Sequence, residues 1–159
     1  MSVIARHRST FRAVAVCVVP EAASLDEAGW SEVEAIVETA LAARPAGLQR
    51  QLGLFLRVIE LFPLLRHQSR FSRLPVATGT RVLGRLERSR VLLLRRGFWG
   101  LRTLVLMGYY ARPAAAVEIG YRAQRRGWAA RSRDAGEGSE SGQLARTADE
   151  RGARAGRAP

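Results

Sequence analysis

Lysine is absent from this chain: all 26 basic residues are arginine. That excludes a phosphate loop of the G-x-x-x-x-G-K kind, which needs its lysine, and G-x-G-x-x-G is missing as well. Cysteine occurs once, at Cys17, so an intramolecular disulfide and any cysteine-built metal cluster are excluded. The residue lies in an apolar run and reads as a buried, inert thiol. The two histidines, His7 and His67, stand far apart with no carboxylate or cysteine at ligand spacing, and both read as bland. His-x-x-x-His and Cys-x-x-Cys are absent, and without Cys-x-x-Cys-His there is no c-type haem attachment. Ser, His and Asp form no plausible catalytic triad. Alternating Val/Ile/Thr runs, the signature of strands, are few.

Long uninterrupted apolar runs are missing too. The longest hydrophobic stretch, Val91 to Tyr110, contains Arg95, Arg96 and Arg102. Each would cost a few kcal/mol near the centre of a bilayer, so the stretch reads as a core helix and no transmembrane span is expected. Near the start, Arg6, His7, Arg8 and Arg12 precede the apolar run Ala13 to Val19, which Pro20-Glu21 ends. The run is as short as the apolar part of a signal peptide can be, and no adjacent arginine pair precedes it. A location in the cytoplasm or peripheral to the inner membrane is expected, not export.

What is present is a helical composition. Leu, Ala, Arg and Glu dominate, the residues that lose little rotamer freedom in a helix, and 47% of the chain is hydrophobic. The expected fold is all-α, a compact bundle of about five to six helices followed by a disordered C-terminal tail. Residues 1–10 are expected to be flexible, 11–128 to form the helical domain and 129–159 to be the tail. Beyond Trp128 only Leu144 is large and apolar, too little to offset the entropy of ordering. No repeat of solenoid period is present.

Apolar spacing and punctuation place the helices. A first one spans Phe11 to about Val18, stopped by Pro20, and a polar link follows from Glu21 to Gly29. Ser31 with Glu34 has the form of a capping box, opening a helix whose stripe is Val33, Ile36, Val37, Ala40 and Leu41, ended by Arg44-Pro45. The next runs from about Ala46 to Leu61, with Leu48, Leu52, Phe55, Leu56 and Ile59 on one face and Arg50 and Arg57 to the side. Leu54, Val58 and Leu61 widen its stripe, which argues for a central position. After a basic loop, a helix from about Pro75 to Arg88 turns Val82 and Leu86 inward. The most hydrophobic helix, about Val91 to Tyr109, carries Leu94, Phe98, Leu101, Val105 and Tyr109 on one stripe. Arg95, Trp99 and Arg102 occupy the opposite one, and Ser89 is a natural N-cap. A short helix from about Pro113 ends before Gly120.

Charge is distributed unevenly. Arg44 to Trp128 holds seventeen arginines against Glu60, Glu87 and Glu118, a net of +14, within a chain whose net charge is +12. Glu21, Asp26, Glu27, Glu32, Glu34 and Glu38 make the preceding stretch acidic. Such asymmetry points to an acidic partner: protein, nucleic acid or anionic membrane surface. Glu60, in apolar surroundings, is expected to pair with a nearby arginine in preference to acting as an acid of raised pKa. No helix-turn-helix signature stands out, so nucleic acid is not the expected partner. Arg95, Trp99 and Arg102 on one helix face resemble an interfacial pattern, or else the solvated side of a core helix.

An ordered set of short motifs adds to this. Phe71-Ser72-Arg73-Leu74-Pro75 is followed by Leu86-Glu87-Arg88-Ser89-Arg90, then Leu94-Arg95. Leu101-Arg102-Thr103-Leu104-Val105, Tyr109-Tyr110 and Ile119-Gly120-Tyr121 complete the order, with Phe11 to Pro20 as an opening helix before its proline. From Phe11 to Tyr121 the chain resembles the gluconate 2-dehydrogenase subunit 3 family, small subunits that accompany FAD-dependent GMC-type oxidoreductases. A related segment precedes the flavin domain of long-chain alcohol oxidases. The resemblance implies a non-catalytic accessory role: binding and stabilising a large flavoprotein, with FAD and the catalytic residues in that partner and no cofactor in this chain. A cytochrome subunit completes some such assemblies. The candidates for the partner interface are Arg73, Arg90, Arg95 and Trp99, with Arg102, Tyr109, Tyr110 and Tyr121. Aromatic residues and arginines around an apolar helix are what interface cores favour, although Phe98, Tyr109 and Tyr121 suit core packing equally. The alternative is a basic nucleic-acid-binding or membrane-surface protein.

Overall fold

Side-chain caps at Ser2 and Asp26 mark the starts of two helices. The computed structural model describes residues 2–118, and the expected tail, Tyr121 and the end of the helical domain lie outside the described residues. Among the described residues there are helices and no strands, as the composition implies. The helices are α1 (Val3–Arg6), α2 (Arg8–Val18), α3 (Glu27–Ala42), α4 (Ala46–Leu61), α5 (Leu64–His67), α6 (Val76–Glu87), α7 (Leu92–Tyr110) and α8 (Pro113–Glu118). Short 3₁₀ turns stand at Pro20–Ser24 and Phe71–Arg73.

The N-terminal segment differs from the flexible one expected over residues 1–10. Ser2 caps α1 by accepting from the Ala5 N–H at 3.1 Å, and its hydroxyl also donates to Glu38 on α3. Ile4 is fully buried, and α2 begins three residues before Phe11. The apolar anchor is one residue, too little to register as a periodic pattern. The start of α3 also differs from expectation. Its N-cap is Asp26, which accepts from the Gly29 N–H at 2.8 Å, so Ser31 lies inside the helix and no Ser31–Glu34 capping box forms. The earlier start brings Trp30 into the core. At the other end, Gln49 donates to the carbonyls of Leu41 and Arg44, satisfying acceptors that the end of α3 leaves open.

Bundle order also departs from expectation. The central helix is α2, which packs against α1, α4, α6, α7 and both 3₁₀ turns. Phe11, Val14 and Ala15 are buried on it. The boundaries of α4 agree with the apolar spacing, but its position does not. Only Phe55, Leu56 and Ile59 are buried, while Leu48 and Leu61 are exposed and Leu54 is 64% exposed. Extra leucines widened the apparent stripe beyond the surface that neighbouring helices cover.

The longest helix among the described residues, α7, packs on α3 and α6 and crosses α2 and α4. Phe98, Leu101, Val105 and Tyr109 are buried along it, with Leu94 half-buried, the stripe that the spacing gives. Where α3 crosses α7, Gly108 allows close approach: a Cβ there would lie 2.6 Å from Val37 Cγ2 and 3.3 Å from the Val33 carbonyl oxygen. No helix among the described residues is long and apolar enough to cross a membrane.

Candidate functional site

The inner stripe of α7 is held by the bundle, which fixes what its outer face presents. Leu92, Arg95, Arg96, Trp99 and Thr103 are exposed, and Arg102 is half-buried beside them. Their spacing of three and four places them on adjoining turns of one side. Trp99, half exposed at 49%, meets Phe98 edge-on with ring centroids 6.5 Å apart. The Arg102 guanidinium stacks over the Trp99 ring at 5.2 Å from its centroid, and lies 3.6 Å from Glu87 at the end of α6. An indole held by a core phenylalanine on one side and an arginine on the other presents a rigid apolar surface at small entropic cost. The first turn of α7 has no acidic side chain, and Arg95 and Arg96 follow it. Ser89 does not cap the helix through its expected geometry. Val91 is the N-cap, and Ser89 Oγ accepts from the Val91 N–H at 3.1 Å.

Of the candidate interface residues, Arg95, Trp99 and Arg102 thus share one face. Tyr110 is exposed at the end of the same helix, and Arg90 is exposed just before its start. Arg73 is exposed on a 3₁₀ turn that packs against α2 and α4. Tyr109 is corrected to a core residue: it is only 5% exposed, stands edge-on to Tyr110 at 5.1 Å, and carries the Arg112 guanidinium 4.4 Å above its ring. Adjacent tyrosines on a helix point about 100° apart, so one can be buried while the other is not. Tyr121 lies outside the described residues.

Several carboxylates are engaged within the bundle. Glu34, buried, receives Arg12 Nε at 2.7 Å and Arg8 Nε at 2.9 Å. Arg12 also grips Glu27 with both terminal nitrogens at 2.7 Å and lies over the Trp30 ring. These bonds hold the Arg12 pKa above its ordinary value, chiefly through Glu27, and hold the Glu27 carboxyl below the usual glutamate range. Glu60 is bound by hydroxyls and backbone, not by the expected arginine. It accepts from Thr10 Oγ1 at 3.0 Å, Ser72 Oγ at 2.7 Å and the Ser72 N–H at 3.1 Å. It thereby ties α2 and α4 to the Phe71–Arg73 turn. Cys17 is half-buried, and burial pushes its thiol pKa up, away from the reactive thiolate.

A concave feature had no counterpart among the sequence expectations. Between α1 and α4 lies a cleft of about 510 Å³ whose basic lining is Arg6, Arg50 and Arg57, with His7 beside them. The available signal was Arg50 and Arg57 seven residues apart with Gly53 between them, one face of one helix. What hid it was that α1, the opposite wall, was expected to be flexible. Among the described residues no group of three His, Cys, Asp or Glu side chains could hold a metal ion. No family model matches this chain, and no curated protein or solved structure does.

Proposed function

We propose that the chain is a non-catalytic accessory subunit that binds and stabilises a large flavoprotein of the GMC oxidoreductase class, through the outer face of α7. The observation that carries the reading is Trp99 held half exposed between Phe98 and Arg102, with Leu92, Arg95 and Arg96 exposed on the same face. Tryptophan and arginine are the residues on which binding energy concentrates at interfaces. The ordered motifs from Phe71 to Tyr121 that resemble the gluconate 2-dehydrogenase subunit 3 family supply the identity of the partner. FAD and the reacting groups belong to that partner, and a cytochrome subunit joins some assemblies of the class. The net charge of +12 suits an acidic surface on the partner.

The test is purification of the tagged chain from its native cell, followed by mass analysis and an absorbance spectrum of the eluate. The expected result is a stoichiometric protein of flavoenzyme size together with flavin absorbance. A colourless eluate holding this chain alone, or this chain with nucleic acid, would contradict the reading and favour a basic nucleic-acid binder.

A further inference from the structure

We propose that the cleft between α1 and α4 binds a soluble small molecule carrying two linked or neighbouring phosphate groups. Three guanidinium groups line the cleft, Arg6 from the last turn of α1 and Arg50 and Arg57 from α4. No carboxylate lines it. Among the described residues, none of the three arginines is held in an ion pair, unlike Arg8, Arg12 and Arg102. Concentrating unpaired guanidinium groups in one concavity raises their mutual repulsion, and a bound anion relieves it.

Three planar forks, two donors each, match the six terminal oxygens of two linked phosphates. Arg50 and Arg57 lie two turns apart on one side of α4, about 10 Å along the helix axis. Arg6 comes from the other wall. Arginine side chains are long enough to converge across that span on one pair of linked phosphates. The volume of about 510 Å³ falls within the range of small-molecule sites. Its floor is kept open by Gly53: a Cβ there would meet Val3 Cγ1 at 3.6 Å and His7 Nε2 at 3.8 Å, both ordinary contacts. His7 therefore offers its Nε2 at the floor, and burial together with Arg57 and Arg6 holds its pKa down. Val3, Ala46 and Leu54 give the rim an apolar part for the body of the molecule.

Calorimetric titration of the full chain with pyrophosphate, at fixed ionic strength, tests the assignment. Wild-type protein is expected to bind it saturably at one site. Arg50→Ala/Arg57→Ala is expected to weaken binding about tenfold or more. Gly53→Leu keeps every charge but fills the floor, and is expected to weaken binding as well. Arg81→Ala/Arg85→Ala, the same loss of charge on α6, is expected to leave it unchanged. Far-ultraviolet circular dichroism checks that each variant is folded. Should Gly53→Leu fail that check, the two arginine pairs decide. No saturable heat from wild-type protein would overturn the proposal. Equal weakening by the two arginine pairs would also overturn it, because binding would then follow net charge. So would binding to duplex DNA with none to pyrophosphate.

Discussion

Arg12 holds three groups at once: Glu27 through both terminal nitrogens, Glu34 through Nε, and the face of Trp30. It thereby fastens α2 to α3 at a point where Glu34 is buried. Removing it leaves Glu34 with Arg8 alone, and a buried carboxylate short of a partner is costly. Arg12→Met is expected to lower the unfolding free energy by about 2–4 kcal/mol, measured by urea denaturation. His7 gives a pH signature. Its pKa is lowered from 6.5 by burial, Arg57 and Arg6, against an opposing pull from Glu60. The unfolded chain therefore binds the proton more readily than the folded one, and stability falls as pH drops below 6.5. His7→Gln is expected to flatten that part of the urea-midpoint curve, and an unchanged slope would show that His7 does not cause it. Little of this was legible beforehand. Ser31 and Glu34 met every local requirement of a capping box, yet Asp26 caps α3, because an earlier start buries Trp30 and frees Glu34 for Arg8 and Arg12. Glu60 had several arginines within reach along the chain, but Thr10 and Ser72 arrive from elements whose positions no local pattern reveals.

Elements were more legible than their neighbours. The spacing of Leu94, Phe98, Leu101, Val105 and Tyr109 defines α7 to within one residue at each end. Pro45 and the apolar run after it define α4. Periodicity specifies a face but not what covers it, which is why α2, not α4, is central. The same distinction yields a paired prediction on α7. A Cβ at Gly100 meets nothing within 4 Å, whereas one at Gly108 collides with Val37 and the backbone of Val33. Gly100→Ala is expected to stabilise the fold by up to about 1 kcal/mol, since alanine loses less backbone entropy in a helix. Gly108→Ala is expected to destabilise it by about 1–3 kcal/mol through overpacking. Thermal unfolding of the two variants checks both signs, and a stabilising Gly108→Ala would mean that α3 and α7 do not approach so closely.

At the scale of the molecule, arginines among the described residues include two populations. Arg8, Arg12 and Arg102 are engaged with carboxylates or aromatic rings, while Arg95, Arg96 and the three cleft arginines are turned to the surface. Composition announced the excess charge but not its division, which depends on which helix ends meet. The proposed docking face belongs partly to the legible class. Arg95, Trp99 and Arg102 were visible as a stripe opposite the apolar one, and the place of Tyr109 on the apolar stripe already set it apart from the exposed Tyr110. The most direct measurement is the affinity of the proposed partner, a purified GMC-type flavoprotein, for immobilised chain, compared between wild type and Trp99→Ala/Arg102→Ala. A docking face centred on Trp99 and Arg102 predicts a loss of affinity of about a hundredfold or more, with both chains equally folded. Equal affinities would contradict it and place the contact away from the outer face of α7.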